Sequence, residues 1–170
     1  QADHAEGLGR LATSVLWGVN PLLTDLSISQ TITPIKGDPW IFEKVNTISY
    51  KITPNAFFQT NTTMAAQLQN AVVRLCGDLA GKTLLDLYCG SGFFSLALAD
   101  QAKRTIGIEL DAEAIECAKD NAQRNNKAVD YFVSKAEDFD WASESPDVVI
   151  LDPPRSGLHP RVLETITTAG

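Results

Sequence analysis

Two glycines follow an apolar run in residues 84–94, which read L-L-D-L-Y-C-G-S-G-F-F. Gly90 and Gly92 allow a tight backbone turn that can approach a ligand at the N-terminus of a helix. The third glycine of the dinucleotide-binding fingerprint is replaced by Ser95, which disfavours a nicotinamide-dependent dehydrogenase. The stretch therefore predicts a ligand-binding loop without identifying its ligand.

A carboxylate ends the next apolar run, T-I-G-I-E-L-D, where Glu109 lies 19 residues after Gly90. A carboxylate at this place can accept hydrogen bonds from both hydroxyls of a ribose. Alternatively, Glu109 or Asp111 caps the helix that we predict from Ala112, and Asp111 suits the capping role better. We therefore favour ribose binding by Glu109, which implies an adenosine-type cofactor.

A third apolar run ends in I-L-D-P-P-R-S-G-L at residues 150–158. Asp152 ends a predicted strand, where the chain leaves the sheet, so it faces the same crevice as the glycine loop. Pro153 and Pro154 stiffen the segment and have no N–H, which leaves carbonyls free to accept hydrogen bonds from a planar substrate. The alternative is a strand terminator without a function. The combination with a glycine loop and a ribose carboxylate favours a binding site.

The elements that must position these residues change in character near Ile52. Before it, apolar residues alternate with period two in short runs, which predicts antiparallel strands. After it, a helix with Thr62 or Thr63 as its cap and an end near Gly81 precedes alternating strands and helices. This alternation predicts a parallel sheet covered by helices, with ligands at the carboxyl ends of the strands. The predicted strands are 12–19, 27–35, 40–45, 48–52, 83–88, 104–109, 129–133 and 147–152, and the further helices are 93–102 and 112–124.

Charge and cysteine content limit the possible partners. The 170 residues carry a formal net charge of −7, whereas a surface that holds nucleic acid unaided is normally basic. If RNA or DNA is the substrate, other segments must help to hold it. The three cysteines, Cys76, Cys89 and Cys117, form no C-x-x-C pair, which argues against a disulfide framework and a zinc or iron–sulfur site.

The sequence shows no membrane or export signal. No apolar run approaches the roughly 18 residues that a membrane helix needs, and residues 1–10 lack the basic and apolar regions of a signal peptide. We therefore expect a soluble, cytoplasmic protein without a membrane partner.

The motifs D-L-Y-C-G-S-G, G-I-E and D-P-P-R-S-G, in this order and spacing, resemble those of S-adenosylmethionine-dependent methyltransferases. With I-T-P-N-A-F-F-Q-T-N at residues 52–61, the chain resembles the RNA uracil-5-methyltransferases specifically, from about residue 12 to 170. The resemblance implies S-adenosyl-L-methionine as cofactor and a uridine of ribosomal or transfer RNA as substrate. We favour 23S ribosomal RNA over transfer RNA.

The resemblance also implies a fold and a set of site residues. Residues 53–170 would be the N-terminal part of a Rossmann-like class I methyltransferase domain, an α/β fold whose C-terminal strands are absent from the chain. Residues 1–52 would be the end of a central β-rich domain, without the RNA-binding β-barrel or four-cysteine iron–sulfur site of other members. The implied cofactor-binding residues are Gln59, Tyr88, Gly90, Gly92, Glu109 and Asp152, and the implied target-base residues are Phe57, Gln59, Asp152 and Pro153.

Uracil C5 is a poor nucleophile, so its methylation needs an enzyme thiolate that adds to C6 and a base that removes the C5 proton. The family places that cysteine in a Ser-Cys-Asn-Pro-like motif on a later strand, and a partner glutamate further on. Neither motif occurs before Gly170, and Cys89 matches a family position without a nucleophilic role. We therefore expect the chain to bind cofactor, to be inactive alone, and to self-associate through an open sheet edge.

Two alternatives stay open. Amino-methyltransferases of adenine or guanine share the fold, but they place an aromatic residue after Asp-Pro-Pro, where this chain has Arg155. The chain could instead be a non-catalytic cofactor-binding module. The adenine contact is also undecided, because the stretch S-K-A-E-D offers either the backbone of Ala136 or the side chain of Glu137.

Overall fold

The computed structural model describes residues 12–21 and 29–168. The first two residues of the strand predicted over 27–35, and Gly170, lie outside the described residues. None of the described helices has the length and apolar character needed to cross a membrane.

The first four strands form two antiparallel pairs. Strand β1 (Val15–Val19) pairs with β2 (Thr31–Lys36), and β3 (Ile41–Val45) pairs with β4 (Ile48–Ile52). The turn between β3 and β4 contains Asn46 at φ 52°, a left-handed conformation that asparagine tolerates better than most residues. The predicted antiparallel segment is therefore confirmed.

Helix α1 (Thr62–Cys76) begins and ends at other residues than predicted. Its cap is Asn61 rather than Thr62 or Thr63, because the Asn61 Oδ1 atom accepts a hydrogen bond of 3.1 Å from the Met64 N–H. It ends before Gly77, not near Gly81, because Gly77 adopts φ 63° and its N–H binds the Arg74 carbonyl.

The later strands form one parallel sheet, as predicted. In the order β7-β6-β5-β8, the chain leads from the central strand to one side and then returns to the other side. Ligands of such sheets bind where the strand order reverses, beyond the carboxyl ends of the strands. The strands are β5 (Thr83–Leu87), β6 (Arg104–Glu109), β7 (Asp130–Val133) and β8 (Val148–Leu151), and the helices are α2 (Ser95–Leu98), α3 (Ala112–Arg124), α4 (Trp141–Glu144) and α5 (Pro160–Thr168).

Helix α2 spans four residues instead of the predicted 93–102. In a helix that begins at residue 93, the Phe93 carbonyl would accept from the Ala97 N–H, but here it accepts from the Tyr50 hydroxyl and the Gln69 side chain. Side chains distant in sequence therefore shorten the helix.

Two asparagines of α3 bind the free edge of β4 as a neighbouring strand would. Asn121 accepts from the Lys51 N–H at 2.7 Å and donates to the Lys51 carbonyl, and Asn125 makes the same pair of bonds with Ser49. Tyr50, between these residues, lies in one buried cluster with residues of α2 and α3. The β3–β4 hairpin thus shares a core with the parallel sheet, and the domain boundary near residue 52 stays a prediction.

Candidate functional site

Two cavities open where the parallel strands end, and Tyr88 lines both. The first, of about 120 Å³, is lined by Glu109 and by residues 134–137. The second, of about 50 Å³, is lined by Gly90, Asp152 and the segment 57–59. The structure therefore brings together six of the eight residues predicted to bind cofactor or base: Phe57, Gln59, Tyr88, Gly90, Glu109 and Asp152.

Gly92 and Pro153 line neither cavity. A Cβ atom on Gly92 would lie 2.4 Å from the Tyr131 hydroxyl, so close packing explains this glycine. A Cβ atom on Gly90 would meet no atom within 4 Å, although Gly90 has φ 53°. Free space therefore lies beside the loop at Gly90, where a ligand can approach the backbone.

The Glu109 carboxylate is held in place by three backbone N–H groups. Its Oε1 atom accepts from Leu110 at 2.7 Å and from Asp111 at 3.0 Å, and its Oε2 atom accepts from Gly90 at 3.2 Å. Asp111 caps α3 by accepting from the Glu113 N–H at 2.9 Å, as its position suggested. Glu109 is therefore not needed as a cap and presents an oriented carboxylate to the 120 Å³ cavity.

Tyr88 adopts φ 64°, a conformation that costs a non-glycine residue free energy and is concentrated at functional sites. Burial raises the pKa of its hydroxyl, and the charges of Glu137 and Glu109 raise it further. Ala136 and Glu137 both line the same cavity, so both remain candidates for an adenine contact.

Sequence reasoning missed Asp86, a fully buried carboxylate in β5. Its Oδ2 atom accepts from the Ser95 N–H, and its Oδ1 atom has no hydrogen-bond partner among the described residues. Burial raises the pKa of Asp86 to about 7, and the charges of Asp152 and Glu109 act in the same direction. The available signal was a carboxylate inside an otherwise apolar run directly before the glycine loop.

A second buried network holds the loop from the hairpin side. The Tyr50 hydroxyl donates to the Phe93 carbonyl at 3.0 Å, and the Gln69 side chain donates to both groups at 2.9 Å. Asn46 in the β3–β4 turn donates to the Gln69 side-chain oxygen at 2.9 Å. Position and orientation of the loop therefore depend on α1 and the hairpin as well as on the sheet.

All three cysteines are in surroundings that favour the neutral thiol. Burial is the main cause that raises the pKa of Cys76, Cys89 and Cys117. For Cys89, which lines the 50 Å³ cavity, the charges of Asp86 and Glu109 add to the effect. Because the thiolate is the nucleophilic form, none of these thiols is activated in this structure.

Comparison with known proteins identifies the family of the chain. The family model for tRNA (uracil-5-)-methyltransferase matches residues 41–145, which include the hairpin, the glycine loop and Glu109. The chain belongs to this uracil-5-methyltransferase family. The family uses S-adenosyl-L-methionine, so the predictions of family, cofactor and fold class are confirmed.

Relatives cover almost all of the chain. An uncharacterised RNA methyltransferase of Clostridium tetani is 39% identical over 154 residues, which are 89% of this chain and 34% of that protein. A tRNA (uracil(54)-C(5))-methyltransferase of Pyrococcus furiosus is 35% identical over 159 residues, covering 94% of this chain and 37% of that protein. The uracil-5-methyltransferase chain therefore spans about a third of the length of these relatives.

A solved structure supports the same assignment. The tRNA (uracil-54, C5)-methyltransferase of Pyrococcus abyssi, in complex with S-adenosyl-L-homocysteine, superposes with a TM-score of 0.76 at 32% identity. The match covers 92% of this chain and 38% of that chain. The names of the P. furiosus and P. abyssi enzymes give transfer RNA as the substrate, so the predicted preference for 23S ribosomal RNA gains no support.

Proposed function

We propose that this chain binds S-adenosyl-L-methionine and forms the donor side of an enzyme that methylates C5 of a uridine in RNA. One observation carries the proposal. The oriented Glu109 carboxylate, the open loop at Gly90 and the exposed segment at Phe57 surround two adjoining cavities that share Tyr88. A cofactor that spans both cavities would reach from a ribose site to a base site.

Different residues of the chain would hold the ribose, the adenine and the methionine part of the cofactor. Glu109 has an oxygen with one long backbone hydrogen bond of 3.2 Å, which leaves it able to accept from ribose hydroxyls. Ala136 or Glu137 would contact the adenine, and the loop at Gly90 would accompany the methionine part towards Asp152. The bound cofactor supplies an electrophilic methyl group.

The target base would lie at the second cavity. The Phe57 side chain is 79% exposed, which leaves its ring free to stack on a flat base. Gln59 lines the same cavity, and its carboxamide makes no hydrogen bond with another described residue. An unpaired carboxamide can both donate to and accept from the polar edge of uracil. The role of Pro153 beside the base stays a prediction.

The thiolate would come from a residue outside the 170 residues. It would add to uracil C6, and the electron pair displaced to C5 would attack the methyl group that the cofactor supplies, with the cofactor sulfur as the leaving group. A base then takes the C5 proton, and the thiolate is expelled as the C5–C6 double bond forms again. The raised pKa values of Cys76, Cys89 and Cys117 support this assignment, since each thiol is kept neutral.

The test uses the full-length protein that contains this chain. It is incubated with methyl-labelled S-adenosyl-L-methionine and unmodified transfer RNA, the substrate named for two relatives, with ribosomal RNA in parallel. We expect label in 5-methyluridine, reduced roughly a hundredfold by Asp152→Ala and unchanged by Asp78→Ala, an exposed control. Label in methylated adenine or guanine would contradict the proposal, and cofactor binding without any label would favour a non-catalytic module.

A further inference from the structure

A third cavity, of about 490 Å³, lies on the other side of the proposed base-binding segment. Its walls come from three segments, in which the lining residues are 14 and 16, 38–41 and 43, and 52–54, 56, 58–60 and 62. It shares Phe58 and Gln59 with the 50 Å³ cavity, so one segment of chain separates the two. Its volume falls within the range of about 300–1,000 Å³ that is typical of small-ligand sites.

The chemistry of the walls selects the kind of ligand. Aromatic and aliphatic groups include Trp40, Pro54 and Phe58, whereas no lysine or arginine lines the cavity. The charged side chains are the carboxylates Asp38 and Glu43. A phosphate would be repelled there, whereas a flat ring that carries hydrogen-bond donors would find apolar walls and acceptors.

Two further details concern Trp40 and Thr53. The Lys51 Nζ atom lies 4.6 Å from the centroid of the Trp40 ring and also pairs with Asp120 at 2.8 Å, which fixes the indole. The Thr53 Oγ1 atom is buried and has no hydrogen-bond partner among the described residues. Because this oxygen is shielded from solvent, Thr53 offers the cavity its other atoms and not its hydroxyl.

We propose that this cavity binds a second, unstacked nucleobase that bears an exocyclic amine and belongs to the same RNA as the target uridine. The inference rests on the proposed function and extends it. Amino donors of the base would face Asp38 or Glu43, and its ring would lie against Trp40. Because the two cavities share a wall, the second base belongs to a nucleotide close to the target. The site would thus help to select the RNA sequence.

The experiment measures RNA affinity with the full-length protein, so it does not depend on methyl transfer. Each unpaired nucleotide of the RNA is replaced in turn by an abasic one. We expect one position besides the target where the replacement weakens binding roughly ten- to a hundredfold, as for loss of a stacked base. In the Trp40→Ala variant, the same abasic replacement should not weaken RNA binding further. In the Trp40→Phe variant, the abasic replacement should weaken RNA binding again.

Phe42→Ala is the matched control. Phe42 lies in the same hairpin, but its ring packs against Arg124, with the guanidinium carbon 4.9 Å from the centroid, and it does not line the cavity. In this variant, the abasic replacement should weaken RNA binding as much as it does in the wild-type protein. At the sensitive position, uracil, which lacks an exocyclic amine, should bind more weakly than the amino-bearing base, and Glu43→Gln should reduce that difference.

Thermal unfolding of each variant separates loss of fold from loss of binding. Additive effects of Trp40→Ala and every abasic replacement, or a preference for uracil at the sensitive position, would overturn the proposal. RNA binding with the expected coupling but without 5-methyluridine would refute only the proposed function. Absence of RNA binding by the wild-type protein would refute both.

Discussion

At the scale of single residues, a buried carboxylate connects the sheet to the ligand loop. Asp86 fixes the loop through the Ser95 N–H, yet one of its oxygens has no partner among the described residues. Burial of a carboxylate disfavours its charged form. The residue that orders the loop is therefore also a source of pH dependence.

Asp86→Asn should change how stability depends on pH. The pKa of Asp86 rises from 3.8 to about 7 on folding, so between these values the native state binds more protons than the unfolded state. The stability that it contributes is therefore present at low pH and is lost as pH rises through about 7. Relative to Asp86→Asn, the wild-type free energy of unfolding should fall by on the order of 2 kcal/mol from pH 5 to pH 8. If urea denaturation gave the same difference in unfolding free energy between wild type and Asp86→Asn at pH 5 and at pH 8, this prediction would be wrong.

Residue types and spacing predicted which residues would lie together in part of the candidate site. Glu109, Gly90 and Asp152 lie at or just beyond the end of a recognisable strand, so their convergence followed from the parallel sheet. Asp86 was missed because it is itself within an apolar run, and only the packed structure reveals that its carboxylate serves a backbone N–H nine residues later. The packing role of Gly92 against Tyr131 also depends on a contact distant in sequence.

At the scale of elements, the parallel strands and α3 were easier to predict than the ends of α1 and α2 or the starts of β1 and β2, which begin three and four residues later than predicted. The strands of the parallel sheet lie within one residue of their predicted bounds, because each is a short apolar run between turn residues. The bounds of α1 and α2 differ more, since the side chain of Asn61 caps α1 and the side chains of Tyr50 and Gln69 bind the Phe93 carbonyl that a longer α2 would use. Such contacts are not encoded in local periodicity.

Asn121→Ala tests the contact between α3, the hairpin and the loop. The side chain is fully buried and binds the Lys51 backbone and the Ser91 carbonyl. Its removal leaves buried backbone groups without partners, so the free energy of unfolding should fall by about 2 to 3 kcal/mol. Asn70→Ala, which removes an exposed acceptor of the Asn46 side chain, should cost clearly less. If urea denaturation showed the same loss of unfolding free energy in both variants, Asn121 would have no special structural role.

At the scale of the whole molecule, charge limits what the chain does alone. The net charge of −7 opposes phosphates, and acidic side chains line the proposed second base site as well. Residues outside the 170 would therefore supply most of the affinity for RNA. The predicted self-association through β8, which pairs only with β5 among the described strands, is open to test by sedimentation.

RNA binding by this chain alone should be weak and independent of sequence. Counterion release from basic side chains supplies most non-specific affinity, and dissociation constants of about 1 to 100 µM are usual even for basic surfaces. We expect a value at or above the weak end of this range at physiological salt, measured by filter binding. Nanomolar binding would show that a strong RNA-holding surface lies within these residues.

The central claim is that the carboxyl ends of β5, β6 and β8 hold the cofactor, with Glu109 on its ribose. Calorimetric titration of the chain with S-adenosyl-L-homocysteine tests it most directly. Wild-type protein should bind. Glu109→Ala should weaken binding roughly ten- to a hundredfold, since charge-assisted hydrogen bonds are lost. Glu113→Ala, an exposed carboxylate in the first turn of α3, should bind as the wild type does. No heat from a folded wild-type chain, or equal affinity in Glu109→Ala, would contradict the claim.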